Sequence, residues 1–562
     1  MSHHPDDRTR RTWIKQAALL AGAAAASSST PAAASATPAR APEDLRVDTP
    51  QAGIVTTTAG KVRGFTRNGV HIFRGIPYGD TTAGANRFLP PQKPKPWSGV
   101  RSSTSWGPCC PQAPRGGWRN DEEQFLYQWD DGFPGEDMLR INVWTPAVND
   151  GRKRPVLTWI HGGGFTTGSS QELRPYDGAN LARRHDVVVV SMNHRLNVFG
   201  FLDLSTFGGE KYKTSGNVGM LDLVAALEWI RDNIAGFGGD PGNVTIFGQS
   251  GGGRKVSTLL AMPAARGLFH KAAILSGSHL RQGSPEGTAK LAAAVLASLG
   301  VTAASLGKLA DIPTDQLLKA GIDAQRSLAQ PGAGAALGWG PVVDGTVLPH
   351  HAFDPAAPAI SAGVPVLVGN TFVEFGGGMG NPDAHAMTMA QVRERLSPML
   401  GAKTDEVVAA YQKIFPKAPP FEISGIIQGS QRYRLDAITL AERKAAQNGA
   451  PVYSYWFGWR TPVLDGRPLA YHCQDLAFWF DNIDLAAQAT GGGDDARELA
   501  TTMSSAFVAF ARTGDPSTAS GPRWPAFTAA DRQMMIFDNG QSAARRDPDI
   551  DARRVLQAAL GR

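Results

Sequence analysis

Short apolar runs alternate along this chain with stretches of helical periodicity. Residues 156–160, 187–193, 244–247, 272–275, 365–369 and 452–456 are almost continuously apolar. Runs of that length without polar alternation predict strands buried on both faces of a sheet. Between them, residues 219–235 place Met220, Leu223, Val224, Leu227, Ile230 and Ile234 at helical spacing, and 255–261 reads as a further helix. Strands alternating with helices predict an α/β fold, a central, mostly parallel, twisted sheet with helices on both faces. The intervals 101–135 and 280–335 are expected to be long loop insertions over the sheet, and no linker divides residues 53–562, which read as one domain.

The N-terminus breaks this pattern. Thr9-Arg10-Arg11-Thr12-Trp13-Ile14-Lys15 resembles a twin-arginine export pattern, the Ala-rich stretch 17–26 supplies a mildly apolar region, and Ala34-Ser35-Ala36 offers a small-residue cleavage site. Residues 1–36 are thus expected to be an export signal and the Pro- and Ala-rich residues 37–52 a linker, with the mature protein periplasmic or secreted. Losing the signal removes four cations and two anions, so the formal net charge falls from +6 to +4 and part of the basic balance is an address label.

Composition narrows the picture further. With 42% hydrophobic and 19% charged residues among 562, the chain can bury a substantial core. No stripe of Lys or Arg argues for nucleic acid, and beyond the signal no apolar run is long enough to span a membrane. Cys109, Cys110 and Cys473 do not make a disulfide framework, and no Cys/His spacing suits a metal. The pair His350-His351 reads as surface loop.

The chemistry is concentrated around Ser250. Gly248-Gln249-Ser250-Gly251-Gly252 follows the apolar run 244–247 and precedes the helical stretch 255–261. Strand, Gly-x-Ser-x-Gly, helix is the sequence form of a turn that lifts a serine hydroxyl out of a sheet. Such a serine needs a base to remove its proton and N–H donors for the oxyanion. His161-Gly162-Gly163-Gly164-Phe165, directly after a predicted strand, supplies backbone donors, so Gly163, Gly164 and Gly251 are the candidate oxyanion hole.

Further ordered blocks carry a resemblance over essentially the whole mature chain. They include Phe73-Arg74-Gly75-Ile76-Pro77-Tyr78, Arg87-Phe88, the segment from Gly135-Glu136-Asp137 to Asn142-Val143-Trp144, and Phe237-Gly238-Gly239-Asp240-Pro241. Pro341-Val342-Val343-Asp344-Gly345 and Phe510-Ala511-Arg512-Thr513-Gly514-Asp515-Pro516 continue the series. Together with the serine turn they make the chain resemble the type-B carboxylesterases, an α/β-hydrolase family that includes bacterial p-nitrobenzyl esterases, fungal lipases and cholinesterases. The resemblance implies the α/β-hydrolase fold and a serine esterase acting on small-molecule carboxylic esters, with no metal or organic cofactor. It assigns Glu374, five residues after Gly369, and His472, which opens His472-Cys473-Gln474-Asp475-Leu476, as the acid and base partners of Ser250. Asp344 and Asp475 are the next carboxylates in line. Amide, carbamate and long-chain lipid hydrolysis use the same triad, and a non-catalytic binding protein on this fold is the reading from another class.

Several residues depart from the family pattern. Gln249 stands where glutamate is usual, Gly251 where alanine is usual, and Arg254-Lys255 where apolar or small residues prevail. Lys255 is expected to pair with a carboxylate beneath the site. Met138 occupies one position of the family's first disulfide, so Cys109 and Cys110 read as two ordinary thiols. Trp118, Phe125, Tyr127, Trp129 and Phe133 suggest an aromatic lid or gorge wall, with a loop packed on the sheet as the alternative. Trp459 and Trp479 are expected to narrow the pocket and favour short acyl chains or compact aromatic esters.

Overall fold

The computed structural model describes residues 46–113, 121–329, 338–540 and 542–562. Residues 1–36, expected to be an export signal, residues 37–45 of the expected linker and Trp118 lie outside the described residues. The N-terminal strands are β1 (Val47–Asp48), β2 (Ile54–Thr56), β3 (Lys61–Arg63), β4 (Phe65–Arg67), β5 (Val70–Pro77), β6 (Val100–Ser102) and β7 (Arg140–Thr145). They are followed by β8 (Arg154–Ile160), β9 (Val188–Met192), β10 (Gly239–Gln249) and β11 (Lys271–Leu275). The last are β12 (Val366–Thr371), β13 (Val452–Phe457), β14 (Gln533–Phe537) and β15 (Ala543–Arg546). Strands β2, β3 and β6 make a small sheet; the others join one large sheet in the order β1-β4-β5-β7-β9-β8-β10-β11-β12-β13-β14-β15. From β9 through β14 every neighbouring pair is parallel, and antiparallel strands close both edges.

The continuous apolar runs become strands for the expected reason. Along β8, Val156 and Ile160 enter one hydrophobic cluster while Leu157 and Trp159 enter the other. The same split divides Ile246 from Phe247 in β10, Val366 and Val368 from Leu367 in β12, and Trp456 from Tyr455 in β13. Side chains of alternate residues point to opposite faces, so a strand sandwiched between two helical layers must be apolar throughout. The helix Val218–Asn233 covers the first face through Met220, Leu223, Leu227 and Ile230. The helix Asp494–Thr513 covers the second through Met503, Phe507 and Phe510. Among the described residues no single helix is long and apolar enough to cross a membrane.

Three expectations change. The interval 280–335 is helical over Pro285–Ser298 and Thr314–Leu328 rather than a loop. Its inward faces are Ala-rich (Ala292, Ala320, Ala324 beside Leu291, Val295 and Leu317), which lowers the apolar contrast that periodicity reads. The helix expected at 255–261 begins at Gly251 and ends at Leu259, because glycines next to Ser250 serve helix and turn at once. The ordered fold also begins earlier than Gly53: Val47 and Asp48 pair antiparallel with Arg67 and Thr66, backbone pairing that needs no apolar pattern and leaves Val47 exposed.

Parallel strands gather their carboxyl ends along one edge. Ile160, Gln249 and Thr371 end β8, β10 and β12 there, and the chain leaving β13 returns to the same edge before His472. That edge of an open α/β sheet is where ligands are received.

Candidate active site

Ser250 follows β10 directly and starts the helix Gly251–Leu259 with φ 56° and ψ −120°, a conformation strained for any residue with a side chain. Its N–H donates to the Leu275 carbonyl at 2.8 Å and its carbonyl accepts from Arg254 N–H at 3.1 Å, so neighbouring strand and following helix both hold the turn. The flanking glycines are steric necessities. A Cβ at Gly248 would lie 2.5 Å from the Gly252 carbonyl carbon, and one at Gly252 would overlap the Ile160 carbonyl oxygen.

The glycine loop after β8 packs onto this turn. Gly163 and Gly164 have φ of 79° and 66°, and a Cβ at Gly162 would come within 3.6 Å of Ser250 Cβ. A methyl at Gly251, where the resembled family carries alanine, would overlap the backbone N and O of Gly164. Gly164 is therefore seated against Gly251, with Gly163 one residue before it. Among the described residues, neither the Gly163 nor the Gly164 N–H is spent on a main-chain carbonyl.

Glu374 and His472 meet across the same edge. Glu374 has φ 50°; its Oε1 accepts from Thr371 N–H at 2.9 Å and its Oε2 accepts from His472 Nδ1. A main-chain bond from His472 N–H to the Glu374 carbonyl (3.0 Å) ties the two segments, and Tyr127 Oη donates to the His472 carbonyl at 2.7 Å. Both side chains are buried, Glu374 to 1% and His472 to 3% exposure. With Nδ1–H committed to the carboxylate, Nε2 carries the lone pair. Gln249, the residue before Ser250, brings its Nε2 to 3.2 Å from His472 Nε2, while its Oε1 accepts from Cys473 Sγ at 3.2 Å.

The other two carboxylates are occupied elsewhere. Asp344 holds Asn217 Nδ2 and the N–H groups of Thr346 and Leu348. Asp475 is fully buried and accepts from Tyr455 Oη (2.9 Å) and Trp479 Nε1 (3.2 Å). Burial, opposed by the Tyr455 bond and aided by the nearby Glu374 charge, pushes its carboxyl up to about 6.

Lys255 is buried beneath the glycine loop. Its Nζ donates to the carbonyls of His161 (3.0 Å) and Gly162 (3.5 Å) and lies 5.8 Å from the centre of the Phe165 ring. The ammonium is coordinated there by backbone dipoles. His161 stacks on His194 (4.8 Å, 7°), whose imidazole is held well below its usual range by burial and then by Lys255. The carbonyl and N–H of a trans peptide point in opposite directions. Drawing the Gly162 carbonyl toward Lys255 thus aims the Gly163 N–H the other way.

A further expectation is corrected. Trp459 and Trp479 do not narrow a pocket: both are core residues, Trp479 against Tyr455, Phe507 and Phe537, and Trp459 against Phe478 with its Nε1 on the Thr490 carbonyl. The aromatics beside the histidine are instead Phe375, 62% exposed with its ring 4.1 Å from His472, and Tyr433, 5.3 Å from it on the π-helical turn Ser430–Arg434. Tyr433 carries no sequence signal because its helix is distant in the chain and the turn has no motif. Of the aromatic insertion, Tyr127 stacks on Trp129 and forms a wall behind His472, while Phe125 and Phe133 are exposed. Among the described residues Cys109, Cys110 and Cys473 form no disulfide, and Met138 is buried.

Two outcomes follow from this geometry. Lys255→Met is expected to lower kcat about tenfold or more with little change in KM, because donors aimed at a developing oxyanion would act in the transition state and not on bound ester; steady-state kinetics on one neutral ester measure it, and an unchanged kcat contradicts it. Asp475 has a folded pKa above its unfolded value, so its contribution to stability is full at low pH and is lost as pH rises through about 6. Asp475→Asn should therefore unfold at a higher temperature than the parent at pH 8, a difference that closes toward pH 4 in calorimetry.

Comparison with known proteins agrees with this architecture. Residues 51–552 match the model of the carboxylesterase family. The para-nitrobenzyl esterase of Bacillus subtilis (strain 168) is 37% identical over 90% of this chain and 99% of that protein. The phenmedipham hydrolase of Pseudarthrobacter oxydans is 32% identical over 88% and 96%. Among solved structures, an esterase from Clostridium hathewayi described as hydrolysing aliphatic aromatic polyesters superposes with a TM-score of 0.80 at 34% identity, covering 92% of this chain and 100% of that one. The α/β-hydrolase sheet and these matches together establish that the chain belongs to the carboxylesterase family and is a serine hydrolase of carboxylic esters.

Proposed function

We propose that Ser250 is the nucleophile, His472 its general base and Glu374 the residue that holds the imidazole, with the N–H groups of Gly163, Gly164 and Gly251 receiving the oxyanion. The observation that carries this reading is the His472 ring, clamped at Nδ1 by Glu374 and in contact with Gln249, the residue that leads into the strained turn at Ser250. As Ser250 Oγ attacks the ester carbonyl carbon, His472 Nε2 takes its proton and the carbonyl electrons move onto the oxygen over the glycine loop. Collapse of that intermediate expels the alcohol, which receives the proton from His472, and leaves an acyl-enzyme. Water, deprotonated by the same imidazole, then attacks the acyl carbon and regenerates Ser250. Glu374, bonded to Nδ1, holds the ring in place in both halves.

The preferred substrates are short-chain or compact aromatic esters. Support comes from the Phe375 and Tyr433 rings beside His472, which offer flat apolar surface to an aromatic leaving group. The names of the Bacillus relative and the Clostridium polyester-hydrolysing structure point to the same class. In a p-nitrophenyl series from acetate to laurate, kcat/KM is expected to be higher on a ~C4 than on a ~C12 ester. Ser250→Ala should lose at least about 10⁴-fold in kcat. Activity that survives in that variant defeats the mechanism; a laurate optimum defeats the substrate class alone.

The mature enzyme acts outside the cytoplasm, a reading supported by Arg10-Arg11 and the Ala-rich stretch behind them. Expressed at full length in a bacterium with twin-arginine export, activity should appear in the periplasmic or culture fraction. Replacing both arginines by lysine should retain it inside, and unchanged fractionation contradicts the assignment.

A further inference from the structure

Two arginines stand over the serine turn without a carboxylate of their own. Arg254 lies in the first turn of the helix that starts at Gly251, its N–H bonded to the Ser250 carbonyl at 3.1 Å, and its guanidinium lies within the field of Tyr433. Arg432 immediately precedes Tyr433, whose ring flanks His472. The two guanidiniums are close enough to repel, and Arg254, half-buried, is the more desolvated. Among the described residues neither forms an ion pair. The nearest acid within their field, Asp436, is bonded to Arg562.

The walls around them suit an anion and not a cation. His279 is packed between Phe165 of the glycine loop (5.7 Å) and the helix, where its N–H bonds to Ser257 Oγ (3.3 Å). Burial, then Arg254 and Arg432, hold its imidazole down at about 3, so it is neutral at the pH of catalysis and adds no competing charge. A partly buried guanidinium held beside a second, exposed one is costly unless an anion is received between them.

We propose that this esterase selects esters that carry a carboxylate, and that Arg254 and Arg432 bind that group while Ser250 attacks the ester carbonyl. The inference rests on Ser250 being the nucleophile. One helical turn of four residues rises about 6 Å, which sets the bound carboxylate several bonds from the reacting carbon. A half-ester of a dicarboxylic acid has that spacing when the charge is on the acyl side. An ester of a hydroxy acid has it when the charge is on the leaving group.

Two matched pairs separate these sources: monoethyl adipate against ethyl hexanoate for the acyl side, and 4-acetoxybenzoate against 4-tolyl acetate for the alcohol side. In the parent enzyme kcat/KM for the charged ester should exceed that for its neutral partner in at least one pair, and about 1 M NaCl should erode the preference. In Arg254→Met and in Arg432→Met the charged-to-neutral ratio should fall about tenfold. A variant that is merely less well folded loses both esters together and keeps the ratio. Preference for the neutral ester in both pairs, or a ratio unmoved in both variants, overturns the proposal while leaving ester hydrolysis intact. Failure to hydrolyse any of the four esters overturns the catalytic reading as well, so the two failures are distinguishable.

Discussion

Everything at the functional edge depends on how closely the backbone leaving β8 approaches the backbone leaving β10. Neighbouring strands lie only about 4.8 Å apart, and the chain at Ser250 must reverse into a helix without moving away from its neighbour. Side chains have no room in that gap. A Cβ at Gly252 would run into the carbonyl of Ile160, and one at Gly251 into Gly164. Glycine at these positions does more than permit an unusual dihedral. It removes matter, so that the N–H groups on both sides of the gap can converge on one oxygen. The strain this leaves at Ser250 is held by the Leu275 carbonyl on one side and the helix on the other.

Such a loop, made of glycine, has little to stiffen it from above, and the stiffness comes from below. Lys255 takes the place of packing atoms under His161 and Gly162, and a buried ammonium is tolerable because two carbonyl oxygens and the face of Phe165 offset the water it lost. His194 stacks on His161 and stays neutral beside that charge. The next residue, Arg195, is satisfied by Asp222 at 2.6 Å, both fully buried. Positive charge beneath a peptide carbonyl also polarises the peptide, which makes the N–H at its other end a better donor. The loop is thus aimed by its carbonyls and used through its N–H groups.

The parts legible in sequence were those with a local cause. Continuous apolar runs became buried strands, and Gly-x-Ser-x-Gly became a turn because the steric demand is met within five residues. Glu374 and His472 came from resemblance, and their meeting is a property of strand order that no local pattern contains. What could not be read was of the same kind. Tyr433 reaches His472 from a helix of its own, and the main-chain carbonyls that meet Lys255 have no sequence signature. Trp459 and Trp479 misled because their size suggested a pocket wall, when the same size fills the far face of the sheet. The helices of 280–335 were hidden by alanine, which packs inward without contrast to its neighbours.

Arg254 and Lys255 show how one helix can serve binding and chemistry with adjacent residues. Consecutive positions on a helix point about 100° apart, so two basic side chains one step from each other need not share an environment. Lys255 is wholly buried under the loop, whereas Arg254 retains access to solvent. A charge held far from the reacting carbon contributes alike to bound ester and transition state, and its effect belongs in KM. A charge that orients the oxyanion donors acts only once the oxyanion forms, and its effect belongs in kcat. The helix that begins at the nucleophile therefore carries both kinds of effect within a single turn, separated by direction and not by distance.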